Sequence, residues 1–415
     1  MNYAFVVPRY GREIVGGAEL GARMLAERLV AQFGWSVEVF TTCALDHMTW
    51  ANEYPAGDED LNGVVVRRFP TTSGRPPRFF PFSERVLSYA SAATTAEAEE
   101  FVELQGPRCP ALLDALAASD RDLFAFYPYL YATTVRGLPL VAERAVMHPA
   151  AHDEPALHLP VFGPVMEAAR GLVLQTWSER ALVQRLFPVA QVPQAVIGLG
   201  FEAPDPARDS GRDTGRGVGH GAGGGGGASV VGDRPYLLSL GRVDGFKGTT
   251  MLGAFFAAYK DRNPGPLALV VAGPVTAAPP PHPDLVVTGP VDEADKWALM
   301  RGATGFVQPS PHEAFSIVLM EAWSQGLPVV VNARCAATRE HCERSGGGLW
   351  FGSYLEFEAV VNRLWRDGAL RERLGGRGRA YVEANYRWPT IIERYARFAT
   401  EVAGGRRRSV GPAAR

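Results

Sequence analysis

Residues 306–331, FVQPSPHEAFSIVLMEAWSQGLPVVV, predict a strand, a loop, a helix and a second strand. Two prolines keep the loop out of helical geometry, and Ser316 is placed to cap a helix that begins near Ile317. Gly326 is the expected left-handed residue at the end of this helix, and the valines after Pro328 predict a buried strand. The stretch is therefore one βαβ step of a parallel sheet.

The start of this helix is expected to lie between two carboxylates, Glu313 in the loop and Glu321 in the helix. The backbone N–H groups of Phe315, Ser316 and Ile317 have no partner within the helix, and with the helix dipole they form a seat for a phosphate. A pyrophosphate joined to a sugar on one side and to a ribose on the other would offer hydroxyls to both carboxylates. The step therefore predicts a site for a ligand of this kind.

Length and composition indicate a soluble globular protein of two domains, with 415 residues, 47% of them hydrophobic and 21% charged. A formal net charge of -2 gives no strongly basic face for nucleic acid. The apolar run at the start is broken by Pro8 and Arg9, which predicts a first strand and not a signal peptide. No run approaches the roughly 20 apolar residues of a membrane-spanning helix.

The four cysteines form no CxxC pair, which favours a reduced, cytoplasmic location. Cys335, His341 and Cys342 are close in sequence, but a fourth ligand at a suitable spacing is missing. We therefore expect no metal site.

The N-terminal half begins with a predicted strand at residues 3–7, a loop with Gly16 and Gly17, and an amphipathic helix at residues 18–33. Glycines at the carboxyl end of a parallel strand let a ligand approach the backbone closely. A flexible turn without a ligand is the alternative interpretation. Farther along, residues 69–85 are expected to form a loop, either solvated or placed to meet an acceptor or a membrane edge.

His152 follows the predicted strand Ala145–Met147, at or just past its carboxyl end, where it is a candidate site residue. His148 and His158 are expected to serve packing or to lie on the surface.

The second half repeats the strand, glycine loop and helix pattern, with a strand at Tyr236–Leu240 and a helix that begins near Thr249. The loop between them carries Arg242 and Lys247. Arginine offers a forked pair of donors to a pyrophosphate and lysine offers a point charge. Two solvated surface cations are the alternative.

A glycine-rich stretch at residues 207–231, ARDSGRDTGRGVGHGAGGGGGASVV, predicts a flexible linker between the halves. The predicted fold class is α/β, with two Rossmann-like domains facing across a cleft. The predicted boundaries are an N-terminal domain at 1–203, the linker at 204–233, a C-terminal domain at 234–385, a helix at 386–403 and a disordered tail at 404–415.

These motifs together resemble those of retaining GT-B glycosyltransferases, in particular the group called family 4. Five runs carry the resemblance: the E-x7-E pair of Glu313 and Glu321, GRVDGFKG at residues 241–248, GPVDEADK at residues 289–296, GGAE at residues 16–19, and HDEP at residues 152–155, which matches a bacterial subgroup. The resemblance implies that the loop of GPVDEADK sits beside the nucleotide base. The chain departs from the family at residues 198–202, GLGFE, where the family often has asparagine, glycine, valine and aspartate.

The resemblance implies that Glu313 contacts the donor sugar and that Glu321 binds the ribose hydroxyls. It implies that the amides of Phe315, Ser316 and Ile317 hold the diphosphate. The donor nucleotide-sugar would bind mainly to the C-terminal domain and the acceptor mainly to the N-terminal domain, with the last helix crossing back to the latter.

The same resemblance implies that Arg242 and Lys247 neutralise the leaving diphosphate, that Gly16 and Gly17 lie against the donor phosphates, and that His152 faces the reacting sugar. The implied activity is that of a retaining hexosyltransferase without a metal ion or cofactor. Its acceptor would be a saccharide, a lipid-linked molecule or a small molecule, in cell-envelope polysaccharide or natural-product glycosylation, with at most peripheral membrane contact. A nucleotide-sugar epimerase, a glycan phosphorylase and a non-catalytic binding partner are the alternatives.

Overall fold

The computed structural model describes residues 1–14, 16–202 and 230–405. The chain folds into two compact units, one formed by Met1–Gly198 with the segment from Pro389 onward and the other by Leu199–Trp388. The predicted linker lies outside the described residues up to residue 229, and the predicted tail does so from residue 406.

The first unit ends at Gly198, before the predicted boundary at residue 203, because the next residues pack elsewhere. Leu199 and Phe201 are buried in the apolar core of the second unit. Gly200 lies against Trp388, so closely that a Cβ atom there would stand 2.3 Å from the indole ring.

An eight-stranded sheet forms the centre of the first unit. Its strands are β1 (Asn2–Val6), β2 (Ser36–Thr42), β3 (Gly57–Leu61), β4 (Val64–Phe69), β5 (Leu123–Phe126), β6 (Ala145–Met147), β7 (Gly171–Leu174) and β8 (Gln194–Val196). Their order is β3-β4-β2-β1-β5-β6-β7-β8, and only β3 is antiparallel to its neighbour. The sequence does not predict β3, because four of its five residues are exposed and GDEDL shows no apolar alternation.

The helices of the first unit that precede its last strand are α1 (Gly17–Phe33), α2 (Phe79–Leu87), α3 (Thr95–Gln105), α4 (Pro110–Ala117), α5 (Ala132–Gly137), α6 (Phe162–Ala168) and α7 (Trp177–Leu186). Short 3-10 turns lie at Ala90–Ala92, Leu138–Arg144 and Pro155–His158. The prediction of a loop over residues 69–85 is wrong from Phe79 onward. Phe79 packs on Phe101 of α3 with 5.8 Å between the ring centroids, and this tertiary contact accompanies the helix.

A six-stranded, wholly parallel sheet forms the centre of the second unit. Its strands are β9 (Tyr236–Leu240), β10 (Ala268–Ala272), β11 (Leu285–Gly289), β12 (Gly305–Gln308), β13 (Val329–Asn332) and β14 (Gly348–Phe351). They lie in the order β11-β10-β9-β12-β13-β14. Strands β9, β10, β12 and β13 are buried at every residue, as expected for a sheet covered on both faces.

The helices of the second unit are α8 (Thr249–Arg262), α9 (Glu293–Gly302), α10 (Ile317–Ser324), α11 (Ala336–Ser345), α12 (Tyr354–Arg366) and α13 (Gly368–Asn385). The strand order is that of a dinucleotide-binding Rossmann sheet, in which the chain reverses its direction of growth between the first and fourth strands. Here those strands are β9 and β12. The loops that follow them are therefore where a ligand is expected.

The last helix, α14 (Trp388–Gly404), packs almost entirely in the first unit. The hydroxyl of Tyr395 lies 2.8 Å from the hydroxyl of Tyr3 on β1 and 3.0 Å from Nε2 of His148. Phe398 lies so close to Gly171 that a Cβ atom there would stand 3.1 Å from its ring. Among the residues that the structure describes, no helix has the length and apolarity required to cross a membrane.

Candidate functional site

The βαβ step predicted from residues 306–331 is present as β12, α10 and β13. Gly326 has a φ of +73°, the left-handed conformation expected where the helix ends. The prediction that Ser316 caps the helix with its side chain is wrong. Ser316 precedes the helix with a φ of +73° and makes no capping bond, and its hydroxyl instead accepts a hydrogen bond from Nε2 of Gln308 at 3.0 Å.

The amides of Phe315, Ser316 and Ile317 lie at the start of α10, where the sequence predicts a phosphate seat. None of the described residues provides a hydrogen-bond acceptor for these three N–H groups. The left-handed conformation of Ser316 next to a helical residue is typical of backbone concavities that bind anions. This end of the helix is therefore open to an anionic ligand.

The loop after β9 packs directly on the loop after β12. Gly248 has a φ of +74°, and a Cβ atom there would lie 2.4 Å from the carbonyl oxygen of Pro309. This approach brings Lys247 to Glu313, with 2.6 Å between Nζ and Oε1. The two residues lie 66 positions apart in sequence and meet at the switch point of the sheet.

Asp244 organises the cationic loop, and the sequence analysis did not identify it. Its Oδ1 accepts the amide of Lys247 at 2.6 Å, and its Oδ2 accepts Nε of Arg242. Burial raises the pKa of Asp244, but the amide and the guanidinium outweigh burial and hold this pKa below its usual value. An aspartate within GRVDGFKG, just before a helix, is the available sequence signal, because aspartate commonly bonds to nearby backbone in loops.

Lys296 of α9 is the last residue of the GPVDEADK run, and the sequence analysis does not predict the contacts of its side chain. Its Nζ lies 2.8 Å from Oε1 of Glu321 and 2.8 Å from Oε2 of Glu293. Burial alone would lower the pKa of Lys296, but the two carboxylates outweigh burial and raise this pKa above its usual value. Glu321 is 9% exposed, so the ammonium group supplies the positive charge that an ionised carboxylate requires there.

We expect replacement of Lys296 by methionine to destabilise the second unit by about 2 kcal/mol. Removing one partner leaves the other charge buried, and the loss stays below that of a fully buried pair because the lysine side chain is 16% exposed. Denaturant titration would measure the change. Arg301→Met on the same helix, at an exposed position, is the matched control. A wild-type midpoint for Lys296→Met would show that the pair contributes nothing to stability.

In the first unit, Gly16 and Gly17 lie between β1 and α1 as predicted. A Cβ atom on Gly16 would lie 2.4 Å from Oε2 of Glu19, whereas one on Gly17 would meet nothing within 4 Å. Glu19 accepts a hydrogen bond from Nη2 of Arg9, and both side chains are largely buried. Gly17 therefore borders open space, while a side chain at Gly16 would displace the carboxylate of Glu19.

His152 lies in the loop after β6, with its Nε2 3.5 Å from Oε2 of Glu154. The other carboxylate oxygen of Glu154 accepts the hydroxyl of Tyr129 at 2.7 Å. Asp153, the second residue of the HDEP run, is exposed, and its Oδ1 lies 2.7 Å from Nε2 of His158. His158 is half-buried, within the expectation that it serves packing or lies on the surface.

His148 is a packing residue, as expected. Its ring stacks on Tyr127 with 3.9 Å between the centroids, and burial lowers its pKa well below the usual value.

The structure thus gathers the predicted residues into two sets, one in each unit. In the second unit Lys247 and Glu313 are in contact, and the set continues through Arg242, Phe315, Ser316, Ile317 and Glu321. In the first unit Gly16, Gly17 and His152 follow β1 and β6 at the carboxyl edge of the sheet. Within residues 1–14, 16–202 and 230–405, no three His, Cys, Asp or Glu side chains are grouped as a metal site requires.

The fold of both units is that of GT-B glycosyltransferases. Sucrose-phosphate synthase from Thermosynechococcus elongatus is 18% identical, with a TM-score of 0.68 over 96% of this chain and 98% of that one. HepE from Anabaena, solved with UDP and glucose, is 15% identical, with a TM-score of 0.63 over 96% and 99%. The trehalose 6-phosphate synthase from Burkholderia multivorans is 13% identical, with a TM-score of 0.66 over 97% and 99%. The prediction of an α/β fold with two Rossmann-like units is confirmed.

A family model matches most of the second unit. Residues 228–381 match the model described as Glycosyl transferases group 1, and this range contains Arg242, Lys247, Glu313 and Glu321. No curated protein matches the chain by sequence.

Proposed function

We propose that this protein is a retaining glycosyltransferase that moves a hexose from a nucleoside diphosphate sugar to an acceptor hydroxyl without a metal ion. The observation that carries the proposal is the switch point of the second unit. There Lys247 lies 2.6 Å from Glu313, and the three amides that begin two residues after Glu313 have no acceptor among the described residues. Positive charge, free donors and a carboxylate are the groups that a sugar diphosphate requires.

Charge is the chemical difficulty of the reaction, because the departing diphosphate gains negative charge while the sugar becomes cation-like. Lys247 and Arg242 are the cations assigned to this charge, with the amides of Phe315, Ser316 and Ile317 as fixed dipoles. Asp244 holds the amide of Lys247 at 2.6 Å, so the loop is ordered before a ligand arrives. Such preorganised donors stabilise charge without reorganisation at the moment of reaction.

The two carboxylates are assigned to hydroxyl groups of the donor. Glu313 would accept a hydroxyl of the sugar, and Glu321 would accept the hydroxyls of the ribose. The contact of Glu321 with Lys296 at 2.8 Å supports an ionised carboxylate that acts as an acceptor. Glu313 is a hydroxyl anchor in this scheme and not an attacking nucleophile, so retention would come from attack on the face that the diphosphate leaves.

The first unit is assigned to the acceptor, with His152 facing the reacting sugar and Gly16 and Gly17 against the donor phosphates. The open space around Gly17 supports a close ligand approach. We place the enzyme in the cytoplasm, where a saccharide, a lipid-linked molecule or a small molecule would accept the sugar in envelope polysaccharide or natural-product glycosylation. The group 1 match supports the family of reactions, and HepE with bound UDP makes UDP-sugars the first donors to test.

Thermal unfolding with UDP, GDP, ADP and dTDP tests the donor site. A nucleotide at about 100 times its dissociation constant adds about 2.7 kcal/mol of stability to a protein that binds it only when folded. We expect one nucleotide to stabilise the wild type and to lose most of this effect in Lys247→Ala.

The thermal panel and two reaction assays, one without an acceptor and one with a broad set of acceptors, separate the proposal from its alternatives. If no nucleotide stabilises the wild type, the donor site is absent and the proposal fails. If a sugar nucleotide is converted to its epimer without any acceptor, the protein is an epimerase. Binding without turnover over a broad set of acceptors would indicate a non-catalytic partner.

A further inference from the structure

A buried carboxylate that the proposed mechanism does not use lies beneath the loop of His152. Glu179 is 2% exposed and belongs to the first turn of α7. Its own amide donates to the hydroxyl of Thr176 at 3.1 Å, the usual bond of a helix cap. Burying an ionisable side chain so completely is costly, so its hydrogen bonds must explain its presence.

The carboxylate of Glu179 joins two strand ends. Its Oε2 accepts the amide of Gln175, just after β7, at 2.6 Å. Its Oε1 accepts the amide of Ala151, 28 positions earlier in the loop after β6, at 2.7 Å. Both bonds need an acceptor oxygen, and only a carboxylate presents two. A glutamine of the same shape would turn an NH2 group toward one of the two N–H donors.

The hydrogen bond to Ala151 lies next to a residue of the loop with an unfavourable backbone conformation. Ala150 has a φ of +52°, a left-handed conformation that is unfavourable for a residue with a side chain. His152 follows one residue after the amide that Glu179 holds. The carboxylate therefore fixes the backbone between an unfavourable turn and the imidazole.

We infer that Glu179 is a positioning residue for His152, acting through the backbone of Ala151 to hold the imidazole where sugar transfer requires it. This inference rests on the proposed function, because it concerns the part of His152 in transfer. It adds Glu179, a residue of helix α7, to the site of His152. The titratable side chains near Glu179 are those of His152 and Tyr127, which follow β6 and β5.

Glu179→Gln and Glu179→Asp test the inference together. The glutamine keeps the length and loses one acceptor, and the aspartate keeps the charge but is one methylene too short to hold both amides. We expect each to lower kcat for transfer at least about tenfold, because small misplacements of catalytic groups are costly. The stabilisation by the cognate nucleoside diphosphate should remain, because none of the groups assigned to the diphosphate or the ribose lies in the loop of His152 or on α7. Glu167→Gln, at an exposed position on α6, is the control.

A double-mutant cycle separates positioning from general damage. In a His152→Ala background, Glu179→Gln should cost almost nothing further in kcat, because the group that it positions is gone. Additive losses would overturn the inference, and so would wild-type kcat in Glu179→Gln.

Hydrogen exchange in the wild type tests whether Glu179 holds the amide of Ala151. It needs no turnover and no folded variant. In the wild type the amide of Ala151, measured in peptides that span residues 147–154, should exchange slowly. Rapid exchange at Ala151 would overturn the inference. Slow exchange in a protein that neither binds a nucleotide nor transfers a sugar would instead contradict the proposed function.

Discussion

Lys247→Ala is expected to lower kcat/KM for sugar transfer at least about a hundredfold, equivalent to about 2.7 kcal/mol of transition-state stabilisation. Lys247 is the cation that the structure fixes most firmly at the switch point, with its Nζ 2.6 Å from Glu313 and its amide 2.6 Å from Asp244. An alanine keeps the hydrogen bond from the backbone amide of residue 247 to Asp244 and removes the positive charge. The fold should therefore survive while the departing diphosphate loses its nearest ammonium group.

The measurement is release of the nucleoside diphosphate from the donor that the thermal panel identifies, with and without an acceptor. Glu313→Gln is the companion variant, since it keeps the shape and removes the negative charge that faces Lys247. Arg262→Ala is the matched control, because Arg262 lies in the same unit with a 62% exposed side chain paired to Glu358. Wild-type kcat/KM in Lys247→Ala, with the control also unchanged, would remove Lys247 from the mechanism and with it the assignment of the diphosphate to this loop.

The sequence predicts the βαβ step well because each part of it has a local cause. Apolar runs mark β12 and β13, and Gly326 takes the left-handed conformation that ends α10, with a φ of +73°. Strand β3 has no such signal, because its exposed acidic residues are held in place by pairing with β4. Helix α2 likewise depends on packing against α3. Local pattern therefore indicates the buried parallel sheets and fails where a distant contact decides.

The candidate site shows the same division. Glu313 and Lys247 are visible in the sequence as members of spaced motifs, but the 2.6 Å contact between them is not, since it depends on two loops that meet at one point of the sheet. Lys296 belongs to the GPVDEADK run and Glu179 to no motif, and the sequence predicts the contacts of neither side chain. Each becomes meaningful only when the fold places it against a buried group, Glu321 in one case and the amide of Ala151 in the other.

Gly248→Ala is expected to destabilise the second unit by about 3 kcal/mol and to reduce transfer at least about tenfold. A left-handed φ of +74° costs a residue with a Cβ atom about 1–2 kcal/mol. The added atom would also lie 2.4 Å from the carbonyl oxygen of Pro309, a backbone atom that cannot rotate away. The loop must therefore move, and Lys247 moves with it.

The control for this variant lies three residues earlier in the same loop. Gly245 has an ordinary φ, and a Cβ atom there would meet nothing within 4 Å, so Gly245→Ala should change the unfolding midpoint little. Denaturant unfolding and donor turnover, measured on both variants, test whether loop packing and the reaction are coupled. If Gly248→Ala is destabilised but fully active, Lys247 reaches the donor without the contact between the two loops. If it is as stable as Gly245→Ala, the close approach to Pro309 does not hold in solution, and the placement of Lys247 against Glu313 loses its structural basis.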